Sequence, residues 1–183
     1  MNLNDIVFAH FQEKNKREFG RYRATDIYKI KKGYLTPENY FEDKHIDWDG
    51  IANMFPGMAY ELMLHEILNE TKIEYQKKYE YKIDDEITIV VVTDFETDTK
   101  VFETKFPLKY RTEICEWHKD QMEMQNMVTN KDVYQVQFLD RDEMKRQEKL
   151  LVANKYIPSP LRRKNIIKLI KNFNKQLNQY YGR

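Results

Sequence analysis

The chain has 183 residues with 31 Lys and Arg, 30 Asp and Glu and a net charge of +1, so no global field recruits an anionic partner. Cys115 is the only cysteine, which excludes an intrachain disulfide, a four-thiolate zinc site and a cysteine-ligated iron–sulfur cluster. No stretch approaches the roughly 18 apolar residues of a membrane span, and the N-terminus lacks a signal peptide's apolar run, so a cytoplasmic protein without membrane contact is expected.

Residues 4–16 suit a short helix. The segment Arg23–Phe41 mixes basic and aromatic residues and carries turn signals at Gly33 and Pro37. A helix is expected from about Pro56, a good first-turn residue, with Met58, Leu62, Ile67 and Leu68 on its apolar side. Residues 73–84 alternate as a half-exposed strand. Residues 86–94, EITIVVVTD, are apolar on both faces, the mark of a central strand covered on each side. KVFETKF, residues 100–106, is its return partner. A helix is expected over residues 111–128, a strand over 132–139, a helix over 140–156 and a last helix over 159–181 that starts at Ser159-Pro160. This order gives an α/β fold in one domain spanning residues 1–183, a small mixed sheet with helices on its faces.

Two features carry chemistry. A turn at Asp98-Thr99 places Asp94 opposite Glu103 on neighbouring strands, with Lys105 two residues further along the same face. Directly opposed side chains have their roots about 4.5–5.5 Å apart. Two carboxylates there repel, and a divalent cation with oxygen ligands resolves the conflict. Glu96 and Asp98 read as ordinary solvated charges of the turn. On the preceding helix, Glu61 and His65 are four residues apart and share a face. Either one suits a third metal ligand, and an unrelated hydrolytic site built on these two alone is an alternative.

Basic residues concentrate late. From Leu150 to Arg183 there are eight Lys and Arg and no acid, and Arg162, Arg163, Lys164, Lys168, Lys171 and Lys175 suit a phosphate-tracking helix face. A second basic set, Arg21, Arg23, Lys29, Lys31 and Lys32, is interleaved with Tyr22, Tyr28 and Tyr34, whose rings suit stacking on exposed bases.

Gly57-x-x-x-Glu61, then Asp94, then Glu103-Thr104-Lys105 resembles the PD-(D/E)XK nuclease superfamily. His118-x-x-Gln121 on the next helix is similar to the glutamine motif of its RecB-like branch, which includes the nucleases of CRISPR spacer acquisition and small archaeal viral nucleases. Where that branch has a tyrosine four positions after the glutamine, this chain has Gln125, and Thr93 stands where a proline is common. The branch often has histidine at the position of Glu61; the glycine spacing favours Glu61 over His65. With one cysteine, the chain looks like a relative without the iron–sulfur cluster of the CRISPR-type members.

The resemblance implies a three-layer, restriction-endonuclease-like sandwich and hydrolysis of DNA phosphodiesters, single- or double-stranded. It implies Mg²⁺ or Mn²⁺ held by Asp94, Glu103, the Thr104 carbonyl and Glu61 or His65. Lys105 would stabilise phosphate charge or position the nucleophile, and Gln121 would bond the substrate backbone or the lysine. It further implies a possible homo-oligomer, in the host cytoplasm if virus-encoded. The alternative is a catalytically inactive nucleic-acid-binding or protein-interaction module that retains the fold.

Overall fold

The computed structural model describes residues 17–42, 48–68, 71–106 and 110–183, so the helix expected over residues 4–16 lies outside the described residues. In chain order the elements are β1 (Arg21–Arg23), α1 (Asp26–Lys31), α2 (Trp48–Leu68), β2 (Glu74–Lys82), β3 (Thr88–Glu96), β4 (Lys100–Lys105), α3 (Glu116–Thr129), β5 (Asp132–Phe138), α4 (Arg141–Gln147), β6 (Leu151–Lys155) and α5 (Pro160–Tyr180).

As its apolar run demands, β3 is central. β2 pairs antiparallel along one edge. On the other edge β1 runs parallel beside Thr88–Val90, and β4 runs antiparallel beside Phe95 and Glu96. β4 pairs in parallel with β5, and β5 pairs antiparallel with β6. Ile27, Met124, Ile166 and Phe173 from α1, α3 and α5 cover Ile89 and Val91 on one face. Leu64 of α2 covers Phe95 and Phe138 on the other. The result is a three-layer α/β sandwich, as the element order predicts.

Three local expectations are corrected. Pro56 lies inside α2, which starts at Trp48; its missing N–H removes one helical bond without ending the helix. Residues 140–156 split into α4 and the edge strand β6. Glu148 takes a left-handed conformation (φ 52°) that stops the helix, and the following Leu-Leu-Val run pairs with β5. Glu96 is fully buried rather than solvated. It accepts from Tyr79 Oη at 2.6 Å, Thr93 Oγ1 at 3.1 Å and Lys131 Nζ at 2.9 Å, with Lys77 Nζ at 3.2 Å. Burial raises its pKa, but these donors outweigh burial and hold it below the ordinary value. A turn glutamate thus becomes an internal anchor between β2, β3 and the loop before β5.

The α5 helix is capped as expected: Ser159 Oγ accepts from Arg162 N at 3.3 Å. It is fixed to α3 by Arg162, which donates to Asp120 at 2.6 Å and Glu116 at 2.9 Å, and by Arg163, which donates to Glu123 and Asn126, both at 3.0 Å. Among the described residues no helix is long and apolar enough to cross a membrane.

Removing one cation from the buried Glu96 cluster leaves a carboxylate short of partners. Lys131→Met is expected to lower unfolding free energy by about 2–3 kcal/mol at pH 7, read by urea denaturation. Because the folded pKa of Glu96 is depressed, its stabilising contribution is present above its ordinary pKa and is lost as pH falls below it. The difference between wild type and variant therefore shrinks under acid.

Candidate active site

The site is built where the sheet breaks its own rhythm. Ile89 and Val91 face α5, yet Phe95 faces α2, so the alternation of β3 inverts around Asp94. β2 inverts at the same level: Tyr79 and Tyr81 join the α5 side and Tyr75 the α2 side. Between the flanking pairs Tyr75–Phe95 and Lys77–Thr93 sits Gln76, with φ 49°. A non-glycine residue in that left-handed region is strained, and such strain concentrates at functional sites. The register is the one that a turn at Asp98-Thr99 sets, pairing Phe95 with Phe102 and Glu96 with Val101. The simple period-two rule fails at Asp94 itself.

Asp94 Oδ2 accepts from the Thr104 backbone N at 2.7 Å and from Thr104 Oγ1 at 2.8 Å, which fixes one carboxylate oxygen against the opposite strand. Glu103 is 1% exposed. It accepts from Gln121 Nε2 at 2.8 Å, from Gln125 Nε2, and from the Lys105 ammonium. Gln125 also donates to the Val92 carbonyl at 3.1 Å, so it ties α3 to both β3 and β4. Glutamine thus serves where the resembling branch has tyrosine, a role that the sequence signalled only as a departure. Gln121 bonds Glu103 and not Lys105.

The charges perturb one another. Burial first, then the Glu103 charge, pushes the Asp94 carboxyl up to about 8, with Glu61 adding and Lys105 opposing. Burial also raises Glu61, against the pull of Thr104 and Lys105. For Lys105, burial favours the neutral amine, but Glu103, Asp94 and Glu61 outweigh it and hold its pKa above the ordinary value.

Glu61 reaches the site from α2. It lines an open cleft of about 370 Å³ with Gly57, Met58, Thr104, Lys105, Phe106 and Phe138. Tyr60 stacks on Phe106 with centroids 4.3 Å apart and forms the apolar flank with Phe138. The His65 ring stacks on Tyr75 at 4.3 Å.

Behind Glu103 lies a polar layer that the sequence reading treated as one side of an ordinary strand. Gln135 and Gln137 are each 2% exposed. Gln137 donates to the Arg111 carbonyl at 2.8 Å and to Gln135 Oε1 at 3.3 Å, and Gln135 meets His118 Nδ1. Burial, with the charges of Lys105 and Arg111, pushes His118 down to about 3, so its imidazole is neutral.

The basic sets are less available than their sequence suggests. Arg162 and Arg163 serve the α3–α5 clamp, and Lys171 pairs with Asp84 at 3.0 Å. Lys164, Lys168 and Lys175 remain exposed. Tyr22 is fully buried and donates to Asn174 at 2.7 Å, so it stacks on no base; Arg21 pairs with Glu80.

The donor set suits a hard divalent cation. Asp94, Glu103, Glu61 and the Thr104 carbonyl offer oxygens alone, and a cation would relieve the repulsion that Glu103 exerts on Asp94. Gln125 Oε1 is buried without a hydrogen-bond partner. Among the described residues no three His, Cys, Asp or Glu side chains converge as a finished ligand cage; the Lys105 ammonium holds the Glu103 oxygen instead.

Asp94→Asn is expected to stabilise the metal-free protein. A carboxyl with a raised folded pKa contributes stability that is present below its ordinary value of 3.8 and is lost as pH rises through about 8. The variant's advantage should vanish below pH 4 and plateau above pH 8 at roughly 2–5 kcal/mol, read by thermal melts in chelator. Adding Mn²⁺ should raise the wild-type melting temperature and leave the variant nearly unmoved.

No family model matches the sequence, and no curated protein matches it. Solved structures do match its shape. The crystal structure of SSO0001 aligns with TM-score 0.70 at 13% identity, covering 97% of this chain and 88% of that one. The alkaline exonuclease LHK-Exo from Laribacter hongkongensis, in complex with dAMP, aligns with TM-score 0.64 at 15% identity, covering 88% and 90%. A phage-related exonuclease from Haemophilus somnus 129PT aligns with TM-score 0.56 at 12% identity, covering 90% and 96%. The chain shares with these exonucleases one α/β fold, a mixed sheet between layers of helices.

Proposed function

We propose that this protein is a metal-dependent nuclease of the PD-(D/E)XK superfamily, on its RecB-like branch, that hydrolyses DNA phosphodiester bonds. The observation that carries this reading is that the β3–β4 hairpin holds Asp94 on Thr104 and Lys105 on the buried Glu103, within a fold shared with exonucleases. LHK-Exo was solved with dAMP, and a nucleotide is the product class that this reading assigns to the present chain. The lack of cysteines for a cluster sets the chain apart from the CRISPR-type members that it resembles in motif order.

Asp94, Glu103 and the Thr104 carbonyl would hold Mg²⁺ or Mn²⁺, with Glu61 as the further ligand in preference to His65, whose ring is engaged by Tyr75. A divalent ion there supplies Lewis acidity toward a phosphoryl oxygen and an attacking water. The chain's own groups do the rest. Thr104 aims Asp94 through two hydrogen bonds, and Gln121 and Gln125 hold Glu103 in one orientation. Lys105, kept charged by its acidic neighbours, stabilises negative charge gathering on the phosphate. Tyr60, Phe106 and Phe138 keep one flank of the cleft apolar and limit water.

Cleavage of end-labelled single- and double-stranded DNA with Mg²⁺ or Mn²⁺ tests this. Wild type should cleave; Asp94→Ala and Glu103→Ala should bind DNA without cleaving it. Lys105→Ala should lose about 10²–10³ in rate, and Gln125→Ala about 10–100-fold in metal affinity or activity. Wild type that binds DNA and never cleaves with either ion would identify a binding module. Activity that survives Asp94→Ala would move the chemistry to Glu61 and His65.

A further inference from the structure

One cluster of exposed rings beside the site takes no part in the chemistry above. Trp117, 42% exposed, lies one helical turn before Gln121 on α3, about 6 Å along the axis. Its indole donates to His118 Nε2 at 2.7 Å, so it is fixed to the polar layer behind Glu103. Tyr28 of α1 lies edge-on to Trp117 at 6.4 Å, and Tyr34, 60% exposed, lies edge-on to Tyr28 at 6.5 Å. The rings form a sequence of steps from the catalytic helix outward. Cations accompany them: the Arg111 guanidinium is 5.4 Å from the Trp117 ring centre and the Lys32 ammonium 5.9 Å from that of Tyr28. The nearest acid on the same turn, Glu116, is already paired with Lys119 and Arg162.

We propose that Trp117, Tyr28 and Tyr34, with Arg111 and Lys32, form a stacking platform for the unpaired bases of a single-stranded DNA segment that enters or leaves the acidic site. The proposal rests on the nuclease reading of that site. Its chemistry is the one that single strands require: aromatic faces for successive bases and cations for the backbone. Bases inside a duplex are stacked on each other and offer no free face, so the platform selects unpaired DNA. Tyr22, from the same sequence stretch, is enclosed under α5 and takes no part.

The chain has two tryptophans, so Trp48→Phe leaves Trp117 as the only indole reporter. Titration of this variant with oligothymidylate, in chelator and low salt, should quench its fluorescence to saturation. In the wild-type background, Trp117→Ala and Tyr34→Ala should each weaken oligothymidylate binding by roughly ten-fold. Blunt duplex binding should stay within about two-fold, and Trp117→Phe should keep most of the affinity. Tyr34 is the more exposed ring, so its variant tests the platform even if Trp117→Ala unfolds. Absent quenching, unchanged affinity in both alanine variants, or an equal loss on duplex would overturn the platform. Binding without divalent ions needs no chemistry, so the two readings separate. A wild type that cleaves while Tyr34→Ala and Trp117→Ala bind normally sinks the platform alone. A wild type that binds through the rings and never cleaves sinks the nuclease reading alone.

Discussion

The enclosure of the Glu103 carboxylate is the constraint from which the rest of the site follows. A charge removed from water costs several kcal/mol unless its oxygens are met by donors in good geometry. The chain answers with two amides from α3 and an ammonium from β4 itself. Meeting that demand sets the pitch of α3 against the sheet, since Gln121 and Gln125 must both point at one residue. It also explains the glutamines of β5, which line up beside Glu103 and Lys105 in the parallel register. An apolar strand there would leave the carboxylate facing hydrocarbon.

The second demand is geometric. Asp94 must approach Thr104 and Glu61 from one side while Glu103 is held by helix α3 from the other. A regular pleat cannot present both, because it sends successive residues to opposite faces. β2 and β3 solve this together by changing faces at the same level, with Gln76 taking the left-handed conformation that the change requires. The strained residue lies on β2, one strand away from Asp94.

Much of the layout was legible in the residues. The double-sided apolar run of β3, the return arm of β4 and the Ser-Pro start of α5 each follow from local rules. The hairpin register is the one that a turn at Asp98-Thr99 sets, although Asp-Thr is a weak hairpin signal and left a one-residue slip open. What escaped was whatever depended on burial. Glu96 looks like any turn acid until Lys131 and Tyr79 arrive from distant parts of the chain. Gln135 and Gln137 alternate as solvent-facing residues would, and nothing in strand periodicity says that the polar face is interior. Arg162 and Arg163 add to a conspicuous run of positive charge, yet their partners Asp120, Glu116 and Glu123 sit about forty residues upstream. Net charge along a segment is a count of groups, and pairing in space decides how much of it any ligand meets. Gln125 illustrates the opposite case: a departure from an expected tyrosine marked a working position.

The contact between Lys105 and Glu103 has a bearing on how the molecule comes to exist. In many small metallodomains the binding site is absent from the unfolded chain, so the metal supplies the folding free energy. Here a covalently tethered cation already pairs with the buried Glu103 carboxylate. The fold therefore balances this buried charge with one of its own side chains. On the nuclease reading, a divalent ion would take the carboxylate oxygen that the tethered ammonium now holds.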